Sequence, residues 1–385
     1  MLKRFGMTRA VTLFIVAILL CFSALACVSC SSTSSISKSK QDSLQKTLDE
    51  QLAKYKVPGA IVGMWFPDQG TWVVGSGIGD KSTGAAPQTS DKVRIGSITK
   101  TFTATVVLQL VDEKKLSLDD KLSKYEPQVP GGDGITIRQL LNMTSGLFNY
   151  TDDQAFWAEF LQNRNEVWPP QKMVDIAVAH PAVFPPGQRY MYCNTNYVLL
   201  GMIIEKVTGS TVGKQITTRI IDKLGLKNTS FPTTNQMPSP YMHGYLAATG
   251  QPNDNANVQD FSIYNPSPFW AAGAMIGNLD DLKVWAEALA TGQLVSKAMH
   301  DEQVKFAPPN TSGYGLGVMG AAARLVGHSG EVPGYNSSMY YFPASKSMSI
   351  VLINRYPSKI EGLADVINGA LVKVMVPTPA SSSPK

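Results

Sequence analysis

Apolar residues recur at helical spacing from Gln41 to Tyr55, where Leu44, Leu48, Leu52 and Tyr55 fall on one side, and this spacing predicts an amphipathic opening helix. Two strand-like runs follow, Gly59 to Phe66 and Thr71 to Gly75, and Pro67-Asp68-Gln69-Gly70 between them reads as a hairpin turn. A second helical run enters at Ser97 and places Phe102, Val106, Val107, Leu110 and Val111 at the same period. The middle of the chain carries helical patches at Ile137 to Met143, Gln171 to Ala179 and Asn196 to Val207, broken by proline and glycine. Gly209 is placed to end the helix from Asn194 to Gly209. Toward the C-terminus Tyr314 to Met319, Arg324 to Val326, Ser337 to Phe342 and Met348 to Asn354 look like antiparallel strands. A closing helix from Ile360 to Met375 precedes a proline/serine tail at 377–385.

Strands at both ends of the chain thus flank a mostly helical middle. The economical fold is α+β: one antiparallel sheet assembled from N- and C-terminal segments, covered by helices, with a helical region of about 119–264 inserted between them. No internal repeat is visible. With 385 residues, 44% of them hydrophobic, the chain is long enough for a large core, and one domain over 41–376 accommodates the pattern.

The first residues change the picture of where this domain works. Lys3, Arg4 and Arg9 precede an apolar run from Ala10 to Leu20 and then Ser23-Ala24-Leu25-Ala26-Cys27, the layout of a secretory signal over 1–26. Ala24-Leu25-Ala26 fits an ordinary cleavage site; Cys27 after it also fits a lipoprotein signal with a lipidated Cys27, although Ala24 stands where leucine is usual. An uncleaved anchor is a third reading, since the apolar stretch up to Val28 approaches spanning length. Each of the three puts the domain outside the cytoplasm, as a membrane-anchored lipoprotein or a secreted protein. Residues 27–40, rich in serine, threonine and lysine, suit a flexible tether.

The formal charge of +5 falls to 5 − 3 = +2 once the three leader cations are removed, which leaves no case for nucleic acid. Of the four cysteines, Cys21, Cys27 and Cys30 belong to the leader or its end, and Cys193 stands alone in the domain, so there is no disulfide framework. The histidines (His180, His243, His300, His328) are scattered without ligand spacing, so neither a metal nor another cofactor is expected.

The candidate chemistry centres on Ser97-Ile98-Thr99-Lys100. It places a hydroxyl and an amine three residues apart at the first turn of a helix, where i and i+3 side chains meet and the helix N-terminus favours developing negative charge. Ser-x-x-Lys also occurs at Ser35/Lys38, Ser37/Lys40, Ser43/Lys46 and Ser382/Lys385, but only Ser97 opens a long apolar-periodic run. The plain alternative is that Ser97 merely caps the helix. Tyr192-Cys193-Asn194 is the only Tyr-x-Asn, at the mouth of a helix, and a Tyr192 phenolate beside a lysine ammonium can act as general base. Alternatively Tyr192 is one ring of a cluster with Tyr190 and Tyr197. His328-Ser329-Gly330 is the only His-x-Gly, in a strand-like context that would present it along a sheet edge, where the glycine lets a substrate backbone approach. A lone His328 is otherwise a hydrogen-bonded structural residue.

In this order and spacing the three motifs resemble those of the penicillin-recognising serine hydrolases, in the branch of class C β-lactamases, D-alanyl-D-alanine carboxypeptidases and related esterases. The resemblance runs from about Gln41 to Met375 and includes Leu140 to Leu147, Pro186-Gly187 to Tyr197 with Leu199-Leu200-Gly201, and Ala271-Ala272-Gly273. It implies a β-lactamase/transpeptidase-like fold and an acyl-enzyme on Ser97, with Lys100 and Tyr192 sharing the proton. Asn194, His328, Ser329 and Gly330 would then meet the substrate, Asn194 also hydrogen-bonding Lys100, and the backbone N–H groups of Ser97 and Glu331 would form the oxyanion hole. The expected partner is a small-molecule or peptide substrate, with the membrane reached through the N-terminal lipid or signal anchor.

Two positions depart from the relatives that act on penicillins or D-alanyl peptides. Glu331 follows the third motif where a small or hydroxyl residue is common, and His328 stands where class C β-lactamases usually have lysine. A glutamate facing that position repels an anion, so weak β-lactam hydrolysis and a preference for neutral esters, amides or peptides are expected; a Glu331 pointing to solvent would carry no such message. The other functional class is a binding or regulatory protein that holds cell-envelope peptides without turnover, but such a protein usually loses the serine, lysine or tyrosine, and all three are present.

Overall fold

The computed structural model of the chain describes residues 36–247, 258–306, 313–320, 324–356 and 362–376. The leader, Cys27, Cys30, most of the serine-rich tract, Ile360 and the tail lie outside them, and the described residues all belong to the unit Ser35–Lys385.

Helix α1 (Lys38–Tyr55) opens the domain and buries Leu44, Leu48 and Leu52, one per turn. Strands β1 (Gly59–Phe66) and β2 (Gly70–Gly77) form the expected hairpin. The short strand β3 (Val93–Arg94) leads through a 3₁₀ turn, Gly96–Ile98, into α2 (Thr99–Asp112). The middle supplies α3 (Ile137–Leu141), α4 (Gln154–Gln162), α5 (Pro170–Val178), α6 (Asn194–Thr208), α7 (Val212–Ile216) and α8 (Asp222–Leu224). It also contains two short strands that the expected helical region did not include, β4 (Tyr245–Ala247) and β5 (Val258–Asp260). Helix α9 (Trp270–Gly273), strand β6 (Ile276–Gly277) and helices α10 (Leu279–Ala290) and α11 (Lys297–Gln303) bring the chain back to the sheet. There β7 (Met319–Gly320), β8 (Val326–Val332), β9 (Tyr335–Phe342) and β10 (Ser347–Ile353) complete it, before β11 (Arg355–Tyr356) and α12 (Leu363–Met375).

The main sheet has the order β2-β1-β10-β9-β8-β7, antiparallel throughout, so N- and C-terminal segments meet where β1 pairs with β10. Side-chain alternation then sorts the apolar residues of these strands into two cores. Ala60, Val62 and Met64 of β1, with Val351 and Ile353 of β10, pack against Leu44, Leu48 and Leu52 of α1 and Ile367 and Leu371 of α12. Ile61, Ile350 and Leu352 face the larger core that holds α2, α10 and the helical middle. A strand buried on both faces reads as a near-continuous apolar run, which is why Gly59 to Phe66 shows so little polar alternation. Full burial of each such leucine is worth about 1.5–3 kcal/mol.

Three expectations need adjusting. Residues 36–40, expected within the tether, belong to the domain instead, because Ile36 is buried and α1 begins at Lys38. Tyr314 to Met319 is mostly a turn, with only a Tyr314–Met319 bridge and the two-residue β7, because Gly317 N–H turns aside to Leu141 O at 3.2 Å and Gly315 N–H closes onto Val318 O at 2.8 Å. Strand β8 begins at Val326 rather than Arg324 and runs on through Val332.

Candidate active site

Helix α2 is buried on nearly every side, and its polar residues survive there by hydrogen-bonding. Thr101 Oγ1 accepts from Trp285 Nε1 at 2.8 Å, and Thr103 Oγ1 donates to Ala271 O at 2.8 Å, the latter tying α2 to α9. Lys100, with no exposed surface, is held the same way. Its Nζ donates to Asn194 Oδ1 at 2.7 Å and to Ala272 O at 2.7 Å, and lies 3.0 Å from Ser97 Oγ. Asn194 opens α6 and is itself fixed: its backbone N–H donates to Asn149 Oδ1 and its Nδ2 to Thr151 Oγ1, each at 2.9 Å. Ser97 sits in the 3₁₀ turn before α2 and makes no side-chain cap, since the position before the helix is Ile98. The capping alternative for Ser97 is thereby set aside.

Among the described residues no carboxylate reaches the Lys100 amine, and burial carries its pKa well below the ordinary lysine value, toward the neutral amine. Burial drives the Tyr192 phenol the other way, well above its usual value, and the charge of Glu331 pushes in the same direction, while the Ser97 hydroxyl works against it. The Lys100 amine stands 4.8 Å over the Tyr192 ring rather than on its oxygen, so no ion pair offsets the burial. Both shifts run against the reading of Tyr192 as a phenolate beside a lysine ammonium and toward a neutral phenol and a neutral amine. The Tyr192 hydroxyl is buried, with the Ser97 hydroxyl as its neighbour across the site.

The other wall is β8. A two-residue hairpin pairs Val332 with Tyr335, and the register places Gly330 opposite Ser337, so alternation directs the N–H groups of Ser329 and Glu331 away from β9. Beyond Gly327, where pairing with β7 ends, no strand among the described residues pairs with that side of β8, the sheet-edge position expected for His-x-Gly. The nucleophile turn packs straight against it. A Cβ on Gly330 would lie 2.1 Å from Ile95 O and 2.9 Å from Ser97 N, and one on Gly96, whose φ is +55°, would lie 2.7 Å from Glu331 N. The two glycines thus let the amide nitrogens of Ser97 and Glu331 stand side by side. Ser337 Oγ secures the contact by donating to Ile95 O at 2.9 Å.

His328 is buried, with Nδ1 against the carbonyl of Ser329 and Nε2 2.9 Å from the Tyr314 hydroxyl. A carbonyl only accepts, so Nδ1 carries the proton and Nε2 accepts from Tyr314. Burial and the neighbouring Lys100 lower its pKa to about 3, which keeps the ring neutral. Glu331 neither faces the cavity unopposed nor points into solvent. Its Oε1 accepts from Asn336 Nδ2 and, at 2.7 Å, from the N–H of Gly362 at the start of α12.

These walls enclose a cavity of about 550 Å³ lined by Ser97, Tyr192, Asn194, His328, Ser329, Gly330 and Glu331, with Lys100 directly behind Ser97. Every site residue expected within the domain is therefore brought together. Sequence reasoning missed Asn149, Thr151, Tyr314 and the Ala272 carbonyl that orient them, and Asp152 and Asp365 on the cavity wall. Asn149 and Thr151 follow directly on the Thr144 to Leu147 stretch and carried at least that positional signal; a main-chain carbonyl carries none. Among the described residues no three His, Cys, Asp or Glu side chains group as metal ligands.

A family model described as Beta-lactamase matches residues 44–371. The chain belongs to the β-lactamase family. Among solved structures of this fold, a D-stereospecific amidohydrolase from Streptomyces sp. is 35% identical, covers 85% of this chain and 98% of its own, and superposes with a TM-score of 0.76. A D-amino acid amidase from Ochrobactrum anthropi SV3, in complex with D-phenylalanine, is 26% identical over 88% of this chain and 99% of its own, with a TM-score of 0.76. Penicillin-binding protein 4* of Bacillus subtilis (strain 168) is 29% identical over 284 residues, 70% of this chain and 62% of that protein. The β-lactamase-like serine hydrolase class follows from the family, and the six-stranded antiparallel sheet flanked by helices is its fold.

Proposed function

We propose that the protein cleaves amide bonds, and the corresponding esters, through an acyl-enzyme on Ser97. The observation that carries this reading is the buried Lys100 amine, biased to its neutral form and 3.0 Å from the Ser97 hydroxyl on the cavity wall. The amine takes the hydroxyl proton as Ser97 Oγ attacks the substrate carbonyl. Charge developing on the carbonyl oxygen meets the N–H groups of Ser97 and Glu331, each worth about 3 kcal/mol of barrier. The Tyr192 hydroxyl, between the amine and the cavity, passes the proton to the leaving nitrogen as the carbon–nitrogen bond breaks. Water then repeats the sequence on the ester, releasing the acid and restoring Ser97.

The charge of Glu331 beside the oxyanion position and a neutral His328 in the third motif argue against substrates recognised by a carboxylate. That favours amides, esters and peptides over β-lactams and D-alanyl-D-alanine termini, in keeping with the amidohydrolase and amidase among the similar structures. The N-terminal leader supports an extracytoplasmic location for this chemistry, either anchored through a lipid on Cys27 or secreted, and intact mass of membrane-extracted protein separates the two.

A fluorescent phosphonate should label the wild type and leave Ser97→Ala unlabelled, and an aminoacyl nitroanilide should be turned over faster than nitrocefin. A wild type that does not label would sink the acyl-enzyme reading in favour of a binding or regulatory role; fast nitrocefin turnover would sink the substrate preference.

A further inference from the structure

The proton that Lys100 takes from Ser97 creates a positive charge on a side chain with no exposed surface and, among the described residues, no carboxylate partner. A buried charge is costly unless something in the protein answers it. The hydrogen bonds of the amine are already committed. Asn194 Oδ1 and Ala272 O, each at 2.7 Å, only accept, so they take two N–H groups of the neutral amine and leave its lone pair for the Ser97 hydroxyl at 3.0 Å. They hold the amine in the direction that proton transfer needs, in both of its protonation states. The charge itself needs a further source of stabilisation.

Two aromatic faces border the same nitrogen. Nζ stands 4.8 Å over the Tyr192 ring and 5.6 Å over the Tyr197 ring, both within the roughly 6 Å at which the negative face of a ring attracts a cation. Helix α6 places Tyr197 three residues after Asn194, so one helix face delivers an acceptor and a ring to the amine together. The Tyr197 hydroxyl is turned elsewhere, donating to Leu141 O at 3.0 Å, and Tyr197 is not part of the cavity lining. The titratable groups around the amine are the Tyr192 and Tyr197 phenols, the Cys193 thiol and His328. Burial raises both phenols and lifts the thiol to about 11, and it lowers His328 to about 3, so between those values all four are neutral and the ring faces are what remains to meet a cation. We propose that the Tyr197 ring, together with that of Tyr192, stabilises the ammonium formed when Lys100 takes the Ser97 proton, so that Tyr197 sets the strength of the base without touching the substrate. The proposal rests on the acyl-transfer reading of Ser97 and adds to it a residue that acts through Lys100.

The test is the titration of Lys100 in the resting protein, followed by NMR through the Cε signal of isotope-labelled lysine and identified by its loss from Lys100→Met. Tyr197→Phe keeps the ring face and should leave the midpoint where the wild type has it. Tyr197→trifluorophenylalanine, with the fluorines on the ring, keeps the shape but withdraws charge from the face, and should lower the midpoint by about one pH unit, a tenfold loss of proton affinity. The acylation plateau should fall with it by up to about tenfold, because a weaker base takes the proton less readily, and should hold in Tyr197→Phe. A midpoint that stays or rises on fluorination would overturn the proposal. A full drop already in Tyr197→Phe would overturn it too, assigning the effect to the hydroxyl and its tie to Leu141. Should the fluorinated protein fail to fold, Tyr197→Leu decides: loss of the ring lowers the midpoint if the proposal holds, whereas a rise, as water entering the vacated space would produce, overturns it. The titration needs no turnover, so a wild type that fails to label with phosphonate removes the acyl-enzyme reading and leaves the contact between Tyr197 and Lys100 to be judged by its own midpoints.

Discussion

Ser43 and Lys46 on α1 have the same spacing as Ser97 and Lys100 at the head of α2, and the four letters alone do not separate them. On α1 both side chains face water. Ser43 Oγ turns back to Ser39 O at 3.0 Å, and Lys46, whose side chain is 78% exposed, reaches Glu50 at 4.0 Å. At α2 the amine has no exposed surface, two acceptors from α6 and α9 hold it, and β8 closes over the serine. Helical geometry brings hydroxyl and amine to one face in both places. What converts one of them into a nucleophile and base is the cover supplied by segments between about 94 and 233 residues away in the sequence, from Asn194 to Gly330.

The sharpest way to break the contrast is to remove the amine. Lys100→Met keeps a straight, neutral side chain in the buried slot and should lower the rate of acylation by phosphonate or aryl ester by about 10²- to 10⁴-fold, the range for general base catalysis. Lys46→Met should leave it unchanged. In the wild type the acylation rate should rise with pH about a midpoint well below the ordinary lysine value of 10.5 and then level, because only the unprotonated amine accepts the proton and burial lowers its pKa. A rate that keeps rising to pH 10.5 would show that the amine is not the base.

Much of this was legible because local spacing carries it. The α1 leucines, the β1–β2 hairpin, the α6 helix with Gly209 in left-handed conformation at its end, and β9 and β10 were all expected within a few residues. Ser97, Lys100, Tyr192, Asn194 and His328 were legible as a set because three motifs coincide in order, although each alone had a structural explanation. What was hidden depends on contacts between distant segments. The direction of the Tyr192 and Lys100 shifts was not legible, because burial, which spacing does not report, opposes both charges. Tyr314 was read as strand, yet the turn there delivers its hydroxyl to His328. Glu331 stood out in the sequence, but its tie to Gly362, which joins β8 to a helix 31 residues on, did not.

A second test removes the cover while leaving the Ser-x-x-Lys string intact. In Gly330→Ala the added Cβ would meet Ile95 O at 2.1 Å, so β8 must move off the nucleophile turn and carry the Glu331 amide with it. Loss of one oxyanion donor costs about 10²- to 10³-fold in turnover. Substrate binding away from the carbonyl should change less, so the loss should fall on kcat more than on KM, with little change in thermal stability beyond the local shift. An equal loss in both would mean that the glycine serves substrate access rather than the oxyanion.

The smallest effect carries the comparison from rate to stability. His328 is buried beside Lys100, and its pKa lies near 3 in the folded protein against 6.5 ordinarily. Between those values the unfolded chain binds a proton that the folded chain does not, so this residue makes stability rise with pH across that window and fall on acidification. One proton contributes a slope of about 1.4 kcal/mol per pH unit. His328→Gln keeps an acceptor for the Tyr314 hydroxyl but cannot titrate, so its stability curve should be flatter than that of the wild type by up to that slope between pH 4 and 6. Carboxylates that titrate in the same range are common to both proteins and cancel in the difference. Urea unfolding of the pair at a series of pH values measures it, and parallel curves would mean that His328 takes up its proton without leaving the fold, which the buried, amine-flanked ring does not allow.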